Sequence, residues 1–301
     1  MPASLLVKML IGIVSMVILN GCNGGSKPEI FKIGFLLCNS EKETVERFVP
    51  LTGYLTKKVG VEFRMVPVGI NEFESRFKAG EFSFVRTNSY IYTLLKQRHK
   101  ARLVASEKRG SFGSRTAGVI ISLKGSGLEK PGDVRGKRMA FGPMLAPAGY
   151  LSEYDLLLAS GIDPEKDLGH YTIPSGGFKH EKLVYGVLYG RYDAAAVPLL
   201  DIEEMIRDGK ISSDELTIVA RSGLFPYCTF AAAGNVDKGI VNKVRDALLS
   251  LSAEDTVELE GERIKVMKAA RVDGYEELSD KDFDILREMA GRVNQHASKT
   301  N

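Results

Sequence analysis

The sequence predicts an α/β fold in which mostly parallel sheets are covered by helices. The main observation is that short apolar runs, typical of strands, alternate along the chain with longer amphipathic stretches, typical of helices. A second observation is the composition, because 44% hydrophobic and 26% charged residues are usual for a globular protein with a substantial core. The third is the length of 301 residues, which predicts two lobes or one large domain at about 100–200 residues per domain.

The first element along the chain is a predicted lipoprotein signal, residues 1–21. Lys8 gives a positive start, the apolar run Met9–Leu19 follows, and small residues precede Cys22. We expect cleavage before Cys22 and lipid on its thiol. An ordinary signal peptide with a chance cysteine, or an uncut anchor, are the alternatives, although the run is short for a bilayer core of about 30 Å. Residues 22–29 would then tether the protein to a bacterial membrane, facing the periplasm or exterior.

Strands and helices then follow in alternation. The first long helix, Glu41–Val59, has an apolar stripe at spacings of three and four, and it ends at Gly60 after two lysines. The other predicted helices are Asn71–Ala79, Gly149–Ala159, Lys238–Leu251 and Asp280–Val293. The predicted strands are Ile30–Leu37, Val61–Val66, Phe82–Val85, Ala117–Ile121, Arg138–Phe141, Tyr192–Val197 and Leu216–Ala220.

Motifs of the common enzyme classes are absent from the sequence. There is no G-x-S-x-G nucleophile elbow, no phosphate-binding G-x-x-x-x-G-K-[ST] loop and no Cys-x-x-Cys pair. The histidines are scattered, and His180 lacks the second histidine that a zinc-binding helix requires. The sequence therefore predicts no catalytic residues, no metal site and no cofactor. An enzyme becomes the weaker alternative.

Charge and cysteine content limit the possible partners. The net charge of +3 is small and dispersed, which does not favour nucleic acid. After Cys22 only Cys38 and Cys228 remain. They could pair in an oxidising compartment or be two separate small apolar residues, and the sequence leaves both alternatives open.

Several segments resemble, in the same order, the motifs of one protein family. Asp133–Phe141 is similar to a D-L-x-G-K-x-x-A-F strand, and Gly149–Leu151 follows it as the expected start of a helix. Phe48–Leu55 resembles an F-x-P-L-x-x-Y-L helix, and His180 keeps its expected position. These are motifs of the periplasmic solute-binding proteins of the phosphate, phosphite and phosphonate ABC-transporter type. The likeness extends over residues 31–251.

The resemblance implies a two-lobed, type II periplasmic-binding-protein fold. Each lobe would be a mostly parallel sheet flanked by helices, with two hinge crossings near residues 115–122 and 221–230. One lobe would then comprise residues 31–116 and 228–301, and the other residues 117–227. Closure of such lobes around a solute is the family's working motion.

The expected ligand site departs from the family pattern. In phosphonate-binding members, a Ser-Thr-Ser sequence at a helix amino terminus presents hydroxyls and backbone amides to the anion. The matching loop here, Gly142–Ala148, has no hydroxyl, and its Pro147 has no amide proton. Cys228 stands where the family has an acidic residue. We therefore expect a typical phosphonate, such as 2-aminoethylphosphonate, to bind poorly.

The residues that we predict to contact the ligand come from the loop after the third strand, from both hinges and from the middle lobe. Arg86 and Arg115 could hold an anion through their planar donor groups, or could form ion pairs between the lobes. His180 could donate to an oxyanion or could cap its helix. The full predicted set is Arg86, Thr87, Asn88, Arg115, Thr116, Ala148, Gly149, His180 and Cys228.

These features predict a lipid-anchored solute receptor for an ABC importer, with a small oxyanion or related solute in the cleft. Its expected partners are the solute, an ABC permease and, through lipid on Cys22, the membrane. A monomer is expected. The alternative from another class is a two-lobed sensing or accessory module for a signalling partner such as a histidine kinase.

Overall fold

Two separate sheets organise the chain in the computed structural model, which describes residues 29–175 and 179–300. The strands are β1 Ile30–Leu36, β2 Glu62–Val68, β3 Phe84–Thr87, β4 Arg102–Lys108, β5 Arg115–Thr116, β6 Gly118–Leu123, β7 Arg138–Ala140, β8 His170–Thr172, β9 Ala194–Pro198, β10 Leu216–Arg221, β11 Phe225–Pro226, β12 Thr229–Ala232, β13 Thr256–Leu259, β14 Glu262–Lys265 and β15 Gly274–Glu276. The helices are α1 Glu41–Val59, α2 Phe73–Lys78, α3 Ser89–His99, α4 Ser152–Ala159, α5 Pro164–Asp167, α6 Glu181–Leu188, α7 Leu199–Arg207, α8 Lys238–Leu249, α9 Val266–Ala270 and α10 Asp284–Thr300. The predicted two-lobed α/β fold is confirmed.

The first lobe is built on a sheet with strand order β15-β4-β12-β3-β1-β2. Strand β1 runs parallel to β2 and β3, whereas β12 runs antiparallel to β3 and β4. Helix α1 covers this sheet, and Phe48 of α1 stacks on Phe35 of β1 with 4.9 Å between ring centroids. The parallel strands thus end at one edge of the sheet, where a crevice for a ligand is expected.

The second lobe has a sheet with strand order β10-β6-β9-β7-β8. Strand β7 is parallel to β8 and β9, while β6 is antiparallel to β9 and β10. Both sheets are therefore mixed, since the antiparallel strands β6 and β12 each follow directly on a crossing between the lobes. The two crossings, β5 and β11, pair with each other, with Thr116 opposite Phe225.

Helix α1 has the bounds that the sequence predicts. Ser40 accepts a hydrogen bond from the Glu43 amide at the amino terminus, and Gly60 ends the helix with φ of 81°. Both are local features of capping, so they are visible in the sequence. Among the described residues, no helix combines the length and apolar character needed to cross a membrane. The predicted signal peptide and Cys22 lie outside the described residues.

The predicted helix Gly149–Ala159 begins later than expected. Helix α4 starts at Ser152, and Gly149 has φ of 92°, a left-handed conformation that favours glycine. Residues 147–151 form a wide turn before the helix. In this turn the Gly149 amide donates to the side chain of Glu153 and takes no part in the hydrogen bonding of the helix.

Helix α10 packs against both lobes. Leu286, Met289 and Val293 form one apolar stripe in a buried cluster that also contains Leu95 of α3 and Tyr154 of α4. Polar contacts reach the second lobe too. Arg292 makes two hydrogen bonds to Asp155 at 2.7 and 2.9 Å, and His296 Nε2 lies 3.0 Å from Asp163 Oδ1.

Candidate ligand site

A cavity of about 130 Å³ lies between the lobes, at the carboxyl ends of β1 and β3. Contacts between the lobes border it. Asn88 donates to the Leu145 carbonyl at 3.0 Å, and Lys179 Nζ lies 3.7 Å from Glu43 Oε2. The cavity is thus bounded by groups from both lobes, and its size suits a small solute.

A buried ion pair lies in the part of the cavity wall that the first lobe forms. Arg86 Nε and Nη2 donate to the two carboxylate oxygens of Glu107 at 2.7 and 2.6 Å, and both side chains are almost fully buried. Burial pushes the pKa of Glu107 upward, but the charge and hydrogen bonds of Arg86 outweigh it and lower that pKa. The pair is therefore charged and structural, and only Arg86 Nη1 remains turned to another group, Cys38 Sγ at 3.9 Å.

Arg47 of α1 also lines this wall, and the sequence interpretation missed it. Its side chain is 6% exposed, and Nη2 donates to the Ala270 carbonyl at 2.9 Å, while its buried Nε has no hydrogen-bond partner. The guanidinium carbons of Arg47 and Arg86 lie 4.9 and 4.7 Å from the same Phe48 ring centroid. No described carboxylate pairs with Arg47.

Burial and two neighbouring arginines disfavour the charge of Arg47, and Glu107 offsets them only in part. Burial lowers the pKa of Arg47, and the neighbouring charges of Arg86 and Arg109 lower it further. Arg86 is neutralised by Glu107, and Arg109 Nη2 lies 2.5 Å from Glu204 Oε2. Arg47 has no such partner, so an anion entering the cavity would relieve the repulsion.

The second-lobe wall differs, because its loop is satisfied by the chain itself. The Gly149 amide donates to Glu153 Oε1 at 2.8 Å, and the Ser152 hydroxyl donates to Oε2 at 2.9 Å. Glu153 is fully buried, and burial raises its pKa to about 8. The Gly149 amide is therefore occupied by a side chain of the same protein and is not free to donate to a ligand.

His180 also lines the second-lobe wall. Its Nδ1 lies 3.0 Å from Asp201 Oδ2, and its buried Nε2 has no hydrogen-bond partner. A Cβ atom on Gly149 would lie 2.5 Å from this Nε2, so only glycine fits beside the imidazole ring. With Asp201 accepting from Nδ1, Nε2 of the neutral ring is an acceptor, and it becomes a donor when the ring is protonated.

The structure brings most of the predicted residues together around the cavity. Those that line it are Arg86, Asn88, Thr116, Ala148, His180 and Cys228. Thr87 is buried next to them with a hydroxyl that has no hydrogen-bond partner, and Gly149 lies beneath His180. Arg115 lies outside the cavity lining, because its guanidinium pairs with Asp282 at 2.5 Å.

Sequence reasoning missed Arg47, Arg109, Cys38 and Asp201 as residues of the cavity wall. One signal was present for Arg47, since it interrupts the apolar face of α1 next to Phe48 and between Thr44 and Leu51. Cys38 and Cys228 are both free thiols and both line the cavity. No group of three potential metal ligands occurs among the described residues.

Comparison with known proteins identifies the family. Residues 33–283 match the family described as "ABC transporter, phosphonate, periplasmic substrate-binding protein". The tetrathionate sensor histidine kinase TtrS of Salmonella typhimurium is 27% identical over 244 residues, covering 76% of this chain and 41% of that protein. The chain therefore spans less than half the length of this curated relative.

Solved structures show the same fold at low identity. PhnD1 from Prochlorococcus marinus, in complex with methylphosphonate, has a TM-score of 0.74 and 16% identity, covering 89% of this chain and 99% of that one. A binding component of an ABC phosphonate transporter from Pseudomonas aeruginosa has a TM-score of 0.74 and 14% identity, covering 91% and 90%. Together with the match over residues 33–283, this shows that the chain belongs to the family of periplasmic substrate-binding proteins of phosphonate-type ABC transporters.

Proposed function

We propose that this protein is a lipid-anchored receptor that binds a small anion in the cavity between its lobes. The observation that carries the proposal is Arg47, a buried guanidinium with an unpartnered Nε and two neighbouring arginines. An anion in the cavity would supply the missing counter-charge. Binding takes place without turnover of the solute, as the family assignment supports.

The ligand that we propose is an oxyanion other than a typical phosphonate. The Gly142–Ala148 loop has no hydroxyl, and the Gly149 amide is taken by Glu153. A phosphonate would therefore find few of the donors at this loop that the family resemblance implies. The relative described as a tetrathionate sensor supports sulfur oxyanions as candidates.

A thermal-shift and calorimetry panel tests this proposal. We expect tetrathionate, thiosulfate or sulfate to stabilise the protein more than phosphate, methylphosphonate or 2-aminoethylphosphonate. A ligand present at 100 times its Kd stabilises the fold by about 2.7 kcal/mol, which such a screen detects. Submicromolar binding of 2-aminoethylphosphonate would contradict the proposed ligand class, and no binding by any anion would contradict the receptor function.

The output of the receptor has two candidates. Membership of the family supports delivery of the solute to an ABC permease. The relative at 27% identity supports the second candidate, a sensing module that acts on a histidine kinase. Crosslinking in membranes from the native host, with and without ligand, distinguishes them, because the captured protein is a permease in one case and a kinase in the other.

The lipid anchor on Cys22 is a separate part of the proposal. A Cys22→Ala variant should lose lipid labelling and membrane association, while the wild type should take up labelled fatty acid. If the wild-type protein is found in the soluble fraction and takes up no labelled fatty acid, the proposed lipid anchor is wrong. The proposal on the ligand is then unaffected.

A further inference from the structure

The two described cysteines lie on either side of Arg86. Cys38 follows β1 by two residues, and Cys228 directly precedes β12. Strand β3 lies between β1 and β12 in the sheet, and it carries Arg86 at its carboxyl end. Both thiols therefore face the cavity from the first-lobe wall.

The two thiols have different environments. Cys228 is 4% exposed, and burial raises its pKa to about 12, so it remains a thiol at neutral pH. Cys38 is half-buried and lies in the loop before α1, with its Sγ 3.9 Å from Arg86 Nη1. Cys38 is thus the thiol that a solute in the cavity can meet.

A disulfide between Cys38 and Cys228 does not fit this fold. Cys38 follows β1 and Cys228 precedes β12, on either side of β3, and two strand spacings amount to about 9–10 Å. A disulfide needs Cα atoms no more than about 7 Å apart. Both cysteines are accordingly free thiols, and the Cys38 side chain lines the cavity that a solute would enter.

We propose that Cys38 is a thiol-exchange site for an anion that contains a sulfur–sulfur bond between sulfonate-bearing sulfurs, the polythionate class. This inference rests on the proposed anion receptor and names the substrate class of the same cavity. Arg47 and Cys38 both line the cavity, so a terminal sulfonate paired with the Arg47 guanidinium brings the bridging sulfurs into the same cavity as the Cys38 thiol. The cavity would select such a ligand by the negative charge of its terminal sulfonates and by the reactivity of its central sulfur–sulfur bond.

The exchange step balances without a further oxidant. With tetrathionate, the Cys38 thiol gives its proton to water, and the Sγ electron pair attacks one of the two central sulfurs. The central S–S bond breaks, and thiosulfate leaves with the bonding pair. The products are Cys38–S–S–SO3⁻, S2O3²⁻ and H⁺ from one thiol and one S4O6²⁻. The cysteine sulfur is oxidised, and the departing half of the ligand is reduced.

The adduct would outlast simple binding. Its sulfonate keeps a negative charge beside Arg47 and Arg86, which are the groups that attract the free anion. A small-molecule thiol can attack the new disulfide bond and restore Cys38. Occupancy of the cavity would then report the balance between polythionate and thiol in the surroundings.

Tetrathionate added to the purified full-length protein tests the inference. Intact mass and non-reducing peptide maps should show one S2O3 group on Cys38 and none on Cys228, and dithiothreitol should remove it. Cys38→Ser should abolish the adduct, because Cys228, the other described cysteine, is only 4% exposed. An adduct chiefly on Cys228, or none, overturns the inference.

The rate of modification separates a binding site from ordinary thiol reactivity. We expect saturation with tetrathionate, and a decrease of about tenfold or more in Arg47→Met because a charge-assisted contact is lost. Lys42→Met, a change of an exposed cation on the same helix, is the matched control and should react at the wild-type rate. A modification rate that rises linearly with tetrathionate concentration and is unchanged in Arg47→Met overturns the inference. Binding of tetrathionate without an adduct overturns it and leaves the receptor proposal standing, whereas absence of all anion binding overturns the receptor proposal itself.

Discussion

The two walls of the cavity differ in whether their hydrogen-bond donors and charges have partners within the protein. On the second-lobe wall, the loop amide of Gly149 is bound by the chain's own Glu153, and His180 is oriented by Asp201. On the first-lobe wall, Arg86 is matched by Glu107, but Arg47 has no carboxylate partner among the described residues. The difference shows that the uncompensated charge of the site lies on the first lobe.

This asymmetry has a consequence for how the family site has been altered. A helix amino terminus binds anions through free amides, and such an amide is no longer free once a carboxyl group of the same protein accepts from it. Guanidinium groups supply donors with a full positive charge instead. An anion site on the first-lobe wall, as we propose, therefore does not require hydroxyls in the Gly142–Ala148 loop.

Removing the charge of Glu107 should have the largest effect on the stability of the protein. Glu107→Gln leaves the buried Arg86 guanidinium without its counter-charge, and loss of one partner of a buried pair costs about 3–5 kcal/mol. We expect the urea midpoint to fall accordingly. Glu62→Gln, which affects an exposed pair with Arg64, is the control and should change the midpoint little. Equal effects of the two variants would show that burial does not distinguish these pairs.

Glu153 offers a test of the opposite wall through pH. Its folded-state pKa of about 8 lies above the usual 4.5, so the stability associated with its protonated form is complete below about pH 4.5 and is lost as pH rises through 8. Glu153→Gln keeps a neutral side chain, and the wild type should lose about 4 kcal/mol relative to the variant between pH 5 and pH 9. Thermal unfolding at both pH values measures this. Parallel stability curves for the two proteins would mean that Glu153 titrates normally.

Arg47→Met sharpens the comparison at the level of binding. Loss of a hydrogen bond to a charged group costs about 1.5–3 kcal/mol, so the Kd of the best anion should increase by about 10- to 100-fold. The variant loses the hydrogen bond to the Ala270 carbonyl and also the repulsion from Arg86 and Arg109, and because these effects oppose each other the change in the free energy of unfolding should be small. Calorimetry gives the Kd, and Lys42→Met is the control on the same helix. An unchanged Kd in Arg47→Met would place the anion elsewhere in the cavity.

Arg292→Ala should have the smallest effect. Its side chain is 52% exposed, and such an ion pair contributes about 1 kcal/mol or less, so the apparent affinity should fall by no more than about fivefold. The radius of gyration from X-ray scattering should differ more between free and bound protein than in the wild type. A larger loss of affinity would mean that α10 affects the cavity walls directly.

Local features of the fold were predictable, while features that depend on distant parts of the chain were not. The caps of α1 are encoded within a few residues of Ser40 and Gly60, and its bounds were predicted correctly. Strand β4 was not predicted, and with it the role of Glu107 as partner of Arg86 was lost. Strand direction in the mixed sheets likewise depends on the crossings between the lobes, which no local pattern reveals.

The candidate site shows the same division. His180 and Arg86 were predicted because the resemblance or a strand end marked their positions. Arg47 was missed because one charged residue within the apolar stripe of α1 does not by itself indicate a ligand site. Arg115 was predicted either to contact ligand or to form an ion pair, and its ion-pair partner, Asp282, comes from the far end of the sequence. The side chains that neutralise a charge decide whether it is available, and they are distant in sequence.

Helix α10 gives the protein a second place at which affinity can be set. Its residues are not among the described residues that line the cavity, yet it packs on α3 of one lobe and α4 of the other. The apparent Kd of a ligand equals its intrinsic Kd divided by the fraction of molecules already in the competent arrangement. Substitutions along α10 can change that fraction while every contact to the solute stays the same. The working concentration range of the receptor can thus be tuned from a helix that its solute never touches.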